Sequence, residues 1–422
     1  MFETIKNAFK VKEIRVKIWI TLLLLLVYRV GCYIPVPLIE SGFNFGDVGY
    51  LQLMSSISGG ALQNGTLLAM GISPYINASI IIQLLTVAIP SLERMSKQGE
   101  EGRKKIAQIT KYVTILLAVA QAIGILVNFK SSVDPNNLFG SAKWLAYALL
   151  VIIYTAGACL TLWIGDRITE KGIGNGVSML IFVGILATAG SSILNRFQNF
   201  SLSDLWVLLG FGVAVVLIFF CIVYIDLAER RVPVQYAKQV KGRKMYGGQS
   251  TNIPIKVNGN GVMPLIFAFA LISFPDMIIT MFWPNSKARV WYSTYMGAGS
   301  WLYIVILSLL ILAFSFFYSK IQFQPEEISK SIQQNGGFIP GIRPGKPTCD
   351  YLSKISNRIT LFGAIFLALI ALIPSLVFRA IDQSLVNAFS ATGLLIIVSV
   401  ALEIEKQMQS QIMMKNYKGF LK

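Results

Sequence analysis

With 422 residues, 55% of them hydrophobic and only 14% charged, the chain carries too much apolar surface for a water-soluble domain. Its mean hydropathy of +0.63 reads as a polytopic membrane protein. The absence of histidine removes the commonest metal ligand and proton shuttle. Four cysteines, far apart and without a CxxC pair, argue against a disulfide framework or a zinc site.

Basic residues precede the first apolar run, 14–34, which is too long for a signal peptide and lacks a small-residue cleavage site. It reads as a retained first span. Next, 51–57 is an apolar helical turn or two, cut off at Gly59 and Gly60 and too short to cross a bilayer. The stretch 71–90 is long enough, yet Pro74 sits near its start, and Ser73, Asn77, Ser79 and Gln83 put polar side chains into it. A short apolar piece joined by a glycine break to a polar-dotted span predicts a segment that enters the membrane, turns and starts again. Non-helical backbone survives at that depth only inside protein or beside water. The chain is therefore expected to enclose a cavity here.

Apolar windows of about 19 residues give ten spans: 14–34, 71–90, 106–127, 144–164, 174–193, 206–225, 261–281, 301–320, 359–378 and 386–405. The segments flanking them carry thirty Lys and Arg on one side and six on the other, with Arg29 inside the first span. The positive-inside rule then places both termini in the cytoplasm. The net charge of +17 is mostly a cytoplasmic face. It serves topology and anionic lipid, or an acidic or RNA-bearing partner.

Two cytoplasmic loops, 226–260 and 320–358, are longer than connection needs. In the first, 232–236 and 253–257 are β-prone runs flanking a basic turn, which predicts a projecting hairpin. In the second, 325–334 has helical composition with Glu326 and Glu327 in its first turn, followed by a Gly/Pro-rich tip holding Arg343. Long ordered loops are usually functional, so the pair is expected to form a docking surface.

Apart from Arg29, charges within the spans lie near their ends, as Asp276 and Glu403 do. No Asp, Glu or Lys sits at a span centre, where an ion-coupled transporter generally needs one. The string GIRPGKPT is not a phosphate loop: Pro340 stands where the first glycine is required, and Pro347 follows the lysine. Energy must come from outside the chain. Spans 1–5 and 6–10 suggest two halves of an inverted repeat, 1–193 and 194–422. A polar or broken span falls second in each, span 7 carrying Gly261, Pro264 and Pro275.

Six stretches resemble the SecY family, the pore subunits of the bacterial protein-conducting channel. They are MGISPYINASIIIQLL (70–85), TEKGIGNGVSMLIF (169–182), ERRVPVQYAKQVKGRKMYGGQST (229–251), GVMPLIFA (261–268), GGFIPGIRPGKPT (336–348) and ATGLLIIVSVALE (391–403). They come in the family's order and cover nearly the full length. The resemblance implies an all-α polytopic membrane protein with ten transmembrane helices in two pseudo-symmetric five-helix halves and a short plug helix. An hourglass pore would be narrowed by an aliphatic ring of Ile72, Ile76, Val177, Ile181, Ile266 and Ile396. The plug, about 51–66, would include Leu51, Leu53, Met54, Ile57, Gly59 and Gly60.

Spans 2 and 7, with 3 and 8, would form a lateral gate bearing Asn77, Ile80, Gln83, Ala270 and Phe274. Arg243, Lys244 and Arg343 match positions where the family contacts the ribosome and the SecA motor. Where the family often has small or hydroxyl residues on span 7, this chain has Ala268, Phe269 and Ala270. The implied function is a passive conduit in the bacterial cytoplasmic membrane for signal-bearing precursors and nascent chains, without cofactor, metal or catalytic residues. SecA with ATP or the translating ribosome would drive it, and SecE- and SecG-type small subunits would complete it. A secondary transporter of small solutes, or a membrane scaffold that docks ribosomes without conducting, are the other classes to distinguish.

Overall fold

A computed structural model of the chain describes residues 6, 8–39, 43, 49–128, 143–198, 205–236, 239–241, 244–246, 250–259, 261, 263–283, 286–297, 300–381 and 391–419. Its contacts divide the chain into two units. One comprises Met1–Phe200, Ala270–Ser300 and Val400–Lys422; the other comprises Ser201–Phe269 and Trp301–Ser399.

In the first unit, α1 (Lys12–Gly31) ends three residues short of the apolar window, and Pro35 and Pro37 follow it. Arg29 therefore lies in the last helical turn. The short α2 (Gly49–Ile57) is followed by turns up to the start of α3 (Ser73–Ala88), which accommodates Pro74 in its first turn, where no amide donor is needed. Ile89 precedes a proline and is held extended (φ −107°, ψ 115°), so the helix stops there. A new helix, α4 (Pro90–Lys97), leaves at 104° to α3.

Three long helices follow: α5 (Glu100–Asn128), α6 (Lys143–Lys171) and α7 (Gly176–Gln198). α3 packs on α5, α5 on α6 and α6 on α7, while α1 packs on α6. Threonines inside these helices return their hydroxyl protons to the preceding turn, as Thr114 does to the Thr110 carbonyl (2.7 Å) and Thr161 to that of Gly157 (2.9 Å). Such back-bonding satisfies a hydroxyl where no water is available.

In the second unit, α8 (Leu205–Leu227) leads into a small body built by the two long loops. Strand β1 (Glu229–Tyr236) turns Val232 and Val234 inward and Pro233 and Gln235 outward, the period-two pattern of a strand with one buried face. A second pair, β2 (Gln239–Lys241) and β3 (Lys244–Tyr246), extends the loop as a smaller hairpin. Strand β4 (Ser250–Lys256) returns antiparallel to β1 with Val232 opposite Ile253. Asn258 then donates its amide to the buried Asp226 carboxylate (3.0 Å), tying the returning chain to the end of α8.

Helix α9 (Met263–Phe282) runs through Pro275 without interruption, so span 7 is not broken at that residue. Pro264 sits in its first turn, where a missing amide donor costs nothing. The loop helix α10 (Lys287–Tyr295) belongs to the first unit. It is capped by Ser286, whose hydroxyl oxygen accepts from the Arg289 amide (3.3 Å). The Tyr292 hydroxyl donates to the Ile272 carbonyl. Burial, with the Asp276 carboxylate adding to it, pushes that hydroxyl's pKa up to about 12, so it keeps its proton.

Helix α11 (Trp301–Gln322), α12 (Pro325–Gln334), strand β5 (Gly337–Phe338) and the long α13 (Lys346–Ile381) complete the second unit's elements. α14 (Ala391–Gly419) carries on well past its apolar window. β5 pairs with β1 at Gln235 and Tyr236, so the two long loops form one sheet. Val232, Val234, Ile255, Ile332, Ile339 and Leu352 make its core.

Each of the ten apolar windows has the bulk of its described residues on a helix. Among the described residues, four helices pass a strict test of length and apolarity for crossing a membrane, or five if the bent pair α3–α4 counts as one span. Exposed apolar rows on α1 (Trp19, Leu22, Leu23, Leu26) and α8 (Val213, Val216, Leu217, Phe220) are what a bilayer covers and water would not. The chain is an all-α polytopic membrane protein that carries, among the described residues, a small three-stranded sheet and a two-stranded hairpin.

Candidate functional site

The short helix α2 is seated within the first unit. Leu51 and Met54 are buried in one apolar cluster with Leu62 and Met70, with Ala118, Ala122 and Ile125 of α5, and with Ala146, Leu150 and Tyr154 of α6. Its last turn lies against α7. A Cβ on Gly184 would collide with the Ile57 carbonyl oxygen, so only glycine permits that approach.

The end of α2 is closed twice over. The Gly60 amide donates to the Ser55 carbonyl (2.8 Å) and the Gly59 amide to that of Ser56 (3.3 Å), with both glycines at positive φ (83° and 69°). This is the double bond pattern of a Schellman stop, which glycine makes without strain. Two side chains from neighbouring helices add donors. Thr188 Oγ1 of α7 lies 3.1 Å from both the Ser56 and Gly184 carbonyls. Arg29 Nη1 of α1 donates to the Gly59 carbonyl (3.1 Å). The guanidinium is steadied by Tyr33, whose hydroxyl accepts from Nη2 (3.2 Å) and whose ring centroid lies 5.0 Å from Cζ.

Of the six aliphatic residues expected to form a ring, four belong to the first unit. Ile72 caps α3 and Ile76 lies one turn on; both are buried. Val177, half-buried, and Ile181, buried, are one turn apart on α7. A Cβ on Gly71, next to Ile72, would sit 3.3 Å from the Ser58 side chain, so the residues after α2 adjoin the start of α3. Ile266, half-buried on α9, and Ile396, buried on α14, belong to the second unit.

Leu53 lies on α2 with its side chain outside the described ones, and Ile57 is half-buried there. On α3, Asn77 and Ile80 are buried and Gln83 is half-buried. Spacing of three places them on a slowly turning stripe. Ala270 and Phe274 are half-buried, one turn apart on α9.

On the two-loop body, Arg343 is exposed on a tip whose backbone is pinned: Thr348 Oγ1 donates to the Arg343 carbonyl (2.8 Å) and Ser329 Oγ to the Gly345 carbonyl (2.8 Å). Lys244 opens β3 with its side chain outside the described ones, and Arg243 lies outside the described residues. Among the described residues, no three Cys, Asp or Glu side chains gather as metal ligands would.

Sequence reasoning noted Arg29 only as an intramembrane charge and passed over Gly184 and Thr188 altogether. Arg29 carried the signal that was available, since a charge in a span costs several kcal/mol unless something receives it.

Residues 66–405 match the model of the SecY family. The protein translocase subunit SecY of Streptomyces galbus is 41% identical over the full length of both chains. That of Thermotoga maritima is 42% identical over all of this chain and 98% of its own. Among solved structures, a protein-conducting channel superposes with a TM-score of 0.67 at 20% identity, covering 94% of this chain and 92% of that one. A SecY protein whose plug domain stabilises the closed state of the translocation channel and maintains a membrane seal gives 0.62 at 18% identity, with the same coverage. Canine Sec61 in a ribosome-channel complex from the endoplasmic reticulum gives 0.62 at 19%, again with 94% and 92% coverage. A family model matching most of the chain, and relatives above 40% identity from end to end, leave one assignment: the chain belongs to the SecY family.

Proposed function

We propose that this chain is the pore-forming subunit of a bacterial protein translocase. It passes unfolded secretory proteins across the cytoplasmic membrane and releases apolar segments sideways into lipid. The observation that carries the reading is α2: a nine-residue apolar helix, too short to cross a bilayer, seated among membrane helices of its own unit beside the start of α3. A short helix in that setting serves as a plug at rest. The aliphatic side chains Ile72, Ile76, Val177, Ile181, Ile266 and Ile396 form the narrow part of the path. Having no hydrogen-bonding groups, such a ring dewets and resists ions, and its flexible rims close around a passing chain.

Asn77, Ile80 and Gln83, with Ala270 and Phe274, line the lateral exit, where weak polar contacts give way to a competing apolar helix. The two halves, 1–193 and 194–422, flank the path. Both termini and the two-loop body face the cytoplasm, in keeping with thirty basic residues on that side against six on the other. There Arg243, Lys244 and Arg343 receive the ribosome or the SecA ATPase, which supplies the work. SecE- and SecG-type subunits and anionic lipid complete the assembly. The chain itself performs no catalysis.

The test is disulfide crosslinking. Single cysteines replace Ile76 and Ile266 in an otherwise cysteine-free chain, and a secretory precursor is stalled by a bulky folded C-terminus. Adducts are expected at both positions and not at Leu369, which is 48% exposed on α13. Normal export without adducts at either position rules out a path through the ring.

A further inference from the structure

We propose that Arg29 and Thr188 are positioning residues that hold α2 in its resting seat by its C-terminal carbonyls, and so set how readily the channel opens. The inference rests on the reading of α2 as a plug. A helix of nine residues is marginal by itself, so its pose depends on what surrounds it. The burial of Leu51 and Met54 holds α2 to an apolar surface, but apolar burial has no direction and tolerates sliding. Directional bonds fix one pose.

The last carbonyls of a helix are short of partners and carry the negative end of its dipole. At the end of α2, donors arrive from two helices that the chain separates widely: Arg29 of α1 on the carbonyl of Gly59, two residues past the helix (3.1 Å), and Thr188 of α7 within 3.1 Å of the Ser56 carbonyl, which it reaches from beside the Gly184 carbonyl of its own helix. A cation at a helix C-terminus is the favourable sign.

Two glycines make the approach possible. A Cβ on Gly59 would run into the Arg29 guanidinium, and one on Gly184 into the Ile57 carbonyl. The neighbouring Gly60 has open space around it, so contact with the latch is specific to Gly59. Both donors act on backbone, leaving the α2 side chains free to be chosen for packing. Release of the plug therefore breaks two defined bonds, one of them charge-assisted, as well as unburying Leu51 and Met54.

The experiment compares resting ion conductance of the full complex in planar bilayers with export of a precursor bearing a defective signal sequence. Thr188→Val keeps the shape and removes the donor, Thr188→Ser restores it, and Arg29→Met keeps much of the side chain's length without its charge. Each is made in the intact chain and in one lacking residues 51–57. A charge-assisted bond is worth about tenfold or more in an equilibrium, so Arg29→Met should raise resting conductance roughly tenfold. Thr188→Val should raise it about threefold. Both should admit the defective precursor, with Thr188→Ser near the unsubstituted chain. In the chain lacking 51–57, conductance is already high and neither substitution should add to it.

Equal increments with and without that segment mean that the residues shape the wall and not the plug, which overturns the proposal. If the deletion leaks while Thr188→Val and Arg29→Met stay tight, the plug stands and the latch falls. If the deletion itself stays tight, the plug reading fails and takes the latch with it. Should Arg29→Met fail to accumulate, the isosteric Thr188→Val still decides.

Discussion

An isoleucine offers a passing ion no hydrogen bond, and a constriction made of several leaves water little reason to stay. One polar replacement changes that, because an asparagine amide both donates and accepts. Ile76→Asn, on α3, and Ile396→Asn, on α14, are expected to raise resting ion conductance roughly tenfold, the equivalent of losing about 1.4 kcal/mol from the seal. They should also let signal-defective precursors through. Leu369→Asn, on an exposed face of α13, should instead lower accumulation in the membrane without opening the channel. Conductance of the two ring variants equal to that of the unsubstituted chain would remove those residues from the ring. At this scale the case for an aliphatic ring rests on family motifs, since an isoleucine in a span is ordinary packing. Of the two donors to the end of α2, Arg29 was visible as a charge in a span, whereas Thr188 was not legible. A hydroxyl at 188 and a missing Cβ at 184 acquire meaning only when residues about 130 positions earlier come to rest against them.

At the scale of elements, local signals were read well and pairings were not. Two β-prone runs flanking a basic turn predict the hairpin, and helical composition with Glu326 and Glu327 in the first turn predicts α12. A two-residue strand at Gly337 and Phe338 has no period to detect, so its pairing with β1, a hundred residues away, was invisible. The consequence is that two loops share one core. Leu352, fully buried at the start of α13, closes that core against Val234 and Ile332. Leu352→Ala should cost the two-loop body about 2–5 kcal/mol. Amide exchange of β1 and β4 should quicken while that of α5 in the first unit stays as it was. Unchanged exchange in the strands would mean that the hairpin stands without α13. The bend at Ile89 belongs to the same scale: it closes the window 71–90, where Pro90 imposes a backbone restriction that hydropathy does not register.

For the whole molecule, the strongest statement available from composition concerns direction. Thirty basic residues flank one set of helix ends and six the other, a bias that insertion machinery and membrane potential convert into orientation. Helix packing adds nothing to this, because a bundle turned over in the bilayer keeps every internal contact. Orientation therefore has to be tested from outside. In a cysteine-free chain, single cysteines replace Met413 on α14 and Tyr295 on α10, both exposed. A membrane-impermeant maleimide should label Tyr295→Cys in right-side-out vesicles and Met413→Cys only in inverted ones. The reverse pattern would put the two-loop body and Arg343 on the far side of the membrane from ribosomes and ATP. A channel driven from the cytoplasm cannot work that way, so the docking assignment stands or falls with this labelling, whatever the ring proves to do.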